Sequence, residues 1–192
     1  MKKTIFIALL IFFVQVVAAQ NKDACHAGVY LTKEDFISNK LSHEINKDIK
    51  GNKIEFPIPA DWILTIKIIT PDSVFKFKQG TIYGFYDCGK KFRYSPGGRL
   101  YAPEDFYRIE EDHHLVIYTS VFVGGNEYYY SVTPTAPIQR LNIRNLKQDF
   151  VKYPEFVSNA KKLDKEEIHG NLAKRDKDGY FILNNIYEQT VK

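Results

Sequence analysis

Little in this sequence announces a chemistry. Two cysteines in 192 residues exclude a cysteine-rich scaffold. Paired Cys-x-x-Cys, HExxH and EF-hand patterns are all missing, so no metal motif is legible. There is no Gly-x-Ser-x-Gly elbow; Ser95-Pro96-Gly97-Gly98 reads as a turn. Gly80 to Gly89 lacks the Gly-Lys-Ser/Thr signature and following helix of a phosphate loop. Neither sign of charge dominates, with 27 Lys and Arg against 23 Asp and Glu. That balance gives no footprint for nucleic acid or an anionic membrane. Internal repeats, low-complexity tracts and long linkers are absent as well.

One long apolar run is present, and it lies at the start. Met1-Lys2-Lys3 is basic, Ile5–Val14 is unbroken apolar sequence, and Val17-Ala18-Ala19 supplies small residues before Gln20. This is the layout of a cleavable export signal over residues 1–19. The run is short for ~30 Å of hydrocarbon, and no second stretch approaches membrane length. Cys25 follows Asn21-Lys22-Asp23-Ala24, which is not a lipoprotein box. The expectation is a soluble exported protein, periplasmic or extracellular, with residues 20–192 as one domain and no transmembrane segment after cleavage. Export permits a disulfide, and Cys25 with Cys88 is the available pair.

The rest predicts an α+β fold. Gly28–Leu31 starts a strand. Thr32 then caps a short helix over Lys33–Asn39, with Asp35 completing the cap and Phe36 and Ile37 facing the core. Residues 43–53 read as loop. Between about 54 and 140, alternation and turn residues predict an antiparallel sheet of about six to eight strands, sandwich- or barrel-like. Pro57 and Pro59 mark an edge. Strands are expected at Trp62–Thr70, Val74–Lys78, Thr81–Cys88, Lys91–Tyr94 and Tyr107–Glu110. The Gly124-Gly125 pair predicts a hairpin that sets Val121 against Tyr128, Thr119 against Tyr130 and Ile117 against Val132. From 141 onward the pattern turns helical, through Leu146 and Phe150, a start at Pro154, and a closing helix with Phe181, Ile182, Ile186 and Tyr187. These helices are expected to pack on one face of the sheet.

Several stretches carry a resemblance. Gly28-Val29-Tyr30-Leu31-Thr32 with Asp35-Phe36, Ile82-Tyr83-Gly84-Phe85-Tyr86-Asp87, and Tyr153-Pro154-Glu155-Phe156 resemble small exported single-domain proteins of Bacteroidota-type bacteria. The resemblance implies export and one domain. It carries no catalytic residue, because that family has no established activity.

Two groups of residues invite a functional reading. Asp112-His113-His114 combines imidazole with carboxylate, a set that binds divalent ions. Adjacent strand residues point to opposite faces, however, so both imidazoles reach one ion only from a turn. This region is the candidate for an alternative reading as an envelope hydrolase or metal-dependent enzyme; no cofactor is implied. The second group is aromatic. Tyr118, Tyr128, Tyr129 and Tyr130 lie in strands, and exposed tyrosine suits protein or glycan contacts. The leading expectation is therefore a non-enzymatic envelope interaction protein, with an exposed tyrosine patch that binds a protein or glycan partner. A structural envelope component with a flat, pocketless surface is the third reading.

Overall fold

The computed structural model describes residues 24–56, 65–98, 102–120, 127–165 and 172–191. The signal segment, the Pro57 and Pro59 region, the start of the Trp62–Thr70 strand and the Gly124-Gly125 turn lie outside them.

Period-two patterning produces eleven strands among the described residues. They are β1 (His26–Tyr30), β2 (Ser42–Asn46), β3 (Lys53–Glu55), β4 (Thr65–Thr70), β5 (Ser73–Lys78), β6 (Gly84–Asp87), β7 (Lys90–Pro96), β8 (Glu104–Asp112), β9 (Val116–Ser120), β10 (Tyr128–Ser131) and β11 (Gln139–Arg140). Helix α1 (Lys33–Ile37) follows β1, and α2 (Ile143–Asp149), α3 (Pro154–Lys165) and α4 (Ile182–Val191) follow the strands. Eight strands form one sheet in the order β11-β10-β9-β8-β7-β6-β1-β2, and β3-β4-β5 form a second. Every pairing is antiparallel. The fold is α+β.

Cross-strand partners share a face, so the register sorts the core. One face of the large sheet is covered twice. Near β1, β6 and β7 the small sheet packs on it, bringing Ile54, Ile66 and Ile68 against Val29, Phe85, Phe92 and Phe106. Near β9 and β10 the C-terminal helices pack on it, burying Leu146, Phe156, Phe181 and Leu183 against Ile117 and Tyr130. The helices thus share this face with a second sheet. The opposite face carries Arg93, Asp105, Tyr107, Tyr118 and Tyr129, and is closed by α1 at one end and by Ala102 and Ile138 at the other.

Local signals account for the ends of several elements. Thr32 and Asp35 form a reciprocal capping box at α1, with Thr32 Oγ1 accepting from the Asp35 amide at 3.1 Å. Asn142 caps α2 in the same way, accepting from the Asn145 amide at 2.8 Å. Gly84 lets α1 sit down on the sheet: a Cβ there would lie 2.2 Å from the Phe92 carbonyl oxygen and 3.3 Å from the Phe36 ring.

Four expectations need correction. Ile37 is 57% exposed, because α1 is a single short turn that buries only Phe36. Residues 43–53 are not all loop: β2 occupies Ser42–Asn46 as the edge partner of β1, and one buried side chain, Ile45, is too little for a sequence signal. The β9–β10 register is two residues away from the predicted one, with Tyr128 opposite Thr119 and Tyr130 opposite Ile117. An even shift keeps every side chain on its predicted face. Finally, the closing helix buries Leu183 and Asn184 behind Phe181, while Ile182 is only partly covered.

Candidate functional site

The tyrosines expected to form a surface patch are mostly core. Tyr118, Tyr129 and Tyr130 are each no more than 1% exposed, and Tyr128 is half-buried with its ring 5.7 Å from Phe181. Both faces of β9 and β10 are covered, one by the helices and one by Ala102 and Ile138, so alternation leaves no side for display. Their hydroxyls are engaged internally. Tyr130 donates to Asp149 Oδ2 at 2.7 Å, and Tyr129 donates to Glu127 Oε2 at 3.0 Å. Burial pushes the Tyr129 phenol up to about 12, with Glu127 adding to the effect. Tyr130 is raised in the same direction, by burial first and Asp149 second. The exposed patch does not form.

The histidine pair sits at the turn between β8 and β9. The two rings are edge to face at 4.6 Å, His113 is exposed, and His114 stacks on Tyr187 with its Nε2 3.5 Å from Glu188. Among the described residues no group of three His, Cys, Asp or Glu side chains could hold a metal ion. Asp112, His113 and His114 are brought near each other by sequence but not into a site. Cys25 and Cys88 are joined in a disulfide that ties the start of β1 to the β6–β7 turn. Cys88 is therefore not a free thiol. The neighbouring Asp87 carboxylate is held by Lys47 at 2.7 Å.

A different site emerges on the sheet face opposite the helices. A cleft of about 500 Å³ opens between the Leu31–Lys33 corner, the Gly80–Tyr83 turn, the inner end of β7 and the Thr135–Ile138 loop. That is the size range of small-molecule sites. Its floor holds Arg93, which is only 6% exposed. Strand register places it there: Arg93 pairs with Gly84 on β6 and Tyr107 on β8, facing away from Phe92.

Among the described residues Arg93 forms no ion pair; its guanidinium lies 5.5 Å from the centroid of the Tyr83 ring, and the buried carboxylate on the same face, Asp105, is engaged by Ser120 and the Phe106 amide. Its side chain makes one hydrogen bond among the described residues, from Nη1 to Tyr118 Oη at 3.2 Å. The direction of the chain beyond is fixed. Ser131 Oγ donates its one hydrogen to the Thr133 carbonyl at 2.6 Å, so Tyr118 must donate to Ser131 across 2.8 Å. Tyr118 therefore presents only a lone pair to Arg93 and stays neutral. Burial raises its pKa, and Arg93 only partly offsets this. Arg93 Nε is buried with no hydrogen-bond partner, and the Tyr83 hydroxyl beside it is in the same condition. The Tyr83 phenol is also raised by burial, against a lowering influence from the guanidinium.

A buried cation without a carboxylate is costly, and such groups are ordinarily paired. The cleft offers no remedy of its own. Among the described residues its lining has two cations, Arg93 and the exposed Lys33, and no Asp, Glu, His or Cys. Ser95, Thr32, Thr81 and Thr135 line it together with Tyr83 and Tyr94. Tyr94 is itself engaged, donating to Glu104 Oε1 at 2.6 Å. This arrangement can receive an anion. It holds no base to activate a nucleophile and no carboxylate pair for acid–base work.

Sequence reasoning missed Arg93. In Lys90-Lys91-Phe92-Arg93-Tyr94 it reads as one more solvated basic residue. The available signal was its place opposite Phe92 in the alternation, which matters only once the second face is known to be covered. Compared with family models, with curated proteins and with solved structures, the chain matches none.

Proposed function

We propose that this chain is an exported, non-enzymatic binding protein that engages a protein or glycan of the cell envelope through the Arg93 cleft. The observation that carries the reading is a guanidinium 6% exposed, without an acidic partner among the described residues, at the floor of a cleft whose lining lacks acids and nucleophiles. A buried charge without an ion-pair partner that lines a cleft marks a candidate site for a group from outside the chain. Export rests on the N-terminal segment and is compatible with the Cys25–Cys88 disulfide. No described helix is long and apolar enough to cross a membrane. A cleft of this kind departs from the flat surface expected of a purely structural component.

The test is crosslinking in intact cells that express the protein at native level, followed by mass spectrometry. One dominant envelope partner is expected, lost in Arg93→Gln and weakened in Lys33→Glu. A partner retained equally by both variants would move the binding surface away from the cleft.

A further inference from the structure

The chemistry of the lining goes further than the existence of a site. Resting on the cleft being the binding site, we propose that the group received by Arg93 is a carboxylate carried on a hydroxylated ring, an acidic sugar of an oligosaccharide.

Arg93 presents a planar fork of donors with one position taken by a neutral phenol. Carboxylate is the planar acceptor that matches such a fork. The second cation, Lys33, is exposed at the rim. The one buried positive charge, Arg93, is balanced by a monoanion such as a carboxylate.

The body of the ligand follows from the hydroxyls. Thr81 Oγ1 donates its hydrogen to the Lys78 carbonyl at 2.7 Å, so toward the cleft it can only accept. Ser95 Oγ accepts from the Gly97 amide at 3.4 Å, so its hydrogen is available to donate. Acceptors and donors thus alternate within one small space. A polyol satisfies both, since each sugar hydroxyl donates and accepts. A plain hydrocarbon carboxylate would cover these groups without pairing them, which costs binding energy. Tyr83 adds the amphipathic ring surface that suits a sugar.

The experiment uses the mature, disulfide-bonded protein. Trigalacturonate and a glucuronate-containing trisaccharide are titrated by calorimetry against neutral maltotriose, inorganic phosphate and a tripeptide with a free C-terminal carboxylate. The acidic trisaccharides should bind about tenfold or more tighter than maltotriose, the scale of a charge-assisted hydrogen-bond pair. Arg93→Gln should remove that preference while leaving the weak maltotriose affinity in place. Lys33→Glu, a change at an exposed position, should cost the acidic sugars a few-fold and serves if the core variant folds poorly. Equal binding of acidic and neutral sugars overturns the proposal, as does no binding of either uronate, or tighter binding of phosphate or the tripeptide. Failure here with a crosslinked partner still lost in Arg93→Gln and weakened in Lys33→Glu leaves the cleft as the site and removes only the sugar. Failure of both removes the cleft.

Discussion

Replacing Arg93 by Met should make the ligand-free protein more stable. Arg93 is 6% exposed and its charge meets one neutral hydrogen-bond partner. Withdrawing a charge from water costs several kcal/mol even after relaxation, and exchanging buried charged groups for apolar ones of similar size is often stabilising by about 1–4 kcal/mol. Against this stands the lost bond to Tyr118, about 1.5–3 kcal/mol for a charged donor. Tyr118 keeps its own hydrogen satisfied at Ser131, so only a lone pair is left unmet. The contact with the Tyr83 ring at 5.5 Å is lost as well, about 0.5–2 kcal/mol. Set against desolvation of several kcal/mol, these losses leave a gain of about 1 kcal/mol. For a chain of this length that raises Tm by about 2–4 °C. Calorimetric melting of both proteins reads it directly. Adding a ligand at about 100 times its Kd should then stabilise the wild type by roughly 2.7 kcal/mol and the variant hardly at all, reversing their order. A variant that melts well below the wild type without ligand would refute the reasoning, because Arg93 would then be holding Tyr118 and the sheet together.

Other consequences concern the scaffold. Reducing the Cys25–Cys88 bond, or replacing both cysteines by Ala, frees a loop with a sequence separation of 63 and should cost about 4 kcal/mol in the chain-entropy treatment, measured by urea unfolding with and without reductant. Asn184→Ala should cost about 2–4 kcal/mol, since its side chain serves both the amide and the carbonyl of fully buried Leu115, at 2.8 and 3.0 Å, and two polar groups would be stranded; a loss under half a kcal/mol would show that water replaces it. Burial pushes Tyr30 and Tyr129 up to about 12 and also raises Tyr107, Tyr118 and Tyr130. The native state therefore holds protons that the unfolded chain releases near pH ~10, so this stability is full below that pH and falls above it by about 1.4 kcal/mol per pH unit for each phenol. Tyrosinate absorbance followed alongside circular dichroism should show these phenols ionising with unfolding; early ionisation in the folded state contradicts their burial.

The legible part of the fold was whatever depends on neighbours in sequence. The capping box at Thr32 and Asp35, the Pro154 start of α3 and the turn at Pro71-Asp72 are local chemistry, and the elements begin where that chemistry puts them. The faces of β9 and β10 were also legible, since alternation fixes which residues travel together even when the register moves by two. What alternation cannot report is whether a face is covered. Tyr118 and Tyr129 are buried by Tyr107, Ala102 and Ile138, and Arg93 is closed in by residues from the Leu31–Lys33 corner and from the Thr135–Ile138 loop. The covers of Arg93 come from segments more than 40 residues away, and those of the tyrosines from other strands and loops that no alternation pattern reports. The same ignorance produced both errors, an imagined tyrosine surface and an overlooked arginine.

The distribution of polarity across the sheet gives the site its physical rationale. One face is shielded by apolar side chains of a second sheet and of three helices, and its core is almost wholly hydrocarbon and aromatic. Stability is concentrated there, and in the disulfide that pins β1 to the β6–β7 turn. The other face accepts Arg93, Ser95, Asp105 and Ser131 as buried polar residues. Some are satisfied internally: Ser131 by Tyr118 and Thr133, and Asp105 by the Ser120 hydroxyl and the Phe106 amide. Arg93 is the member whose charge the described residues leave unmatched, and it is the one that borders the cleft. The proposed partner would complete that cation from outside the chain, at the point where the sheet face opens to the cleft.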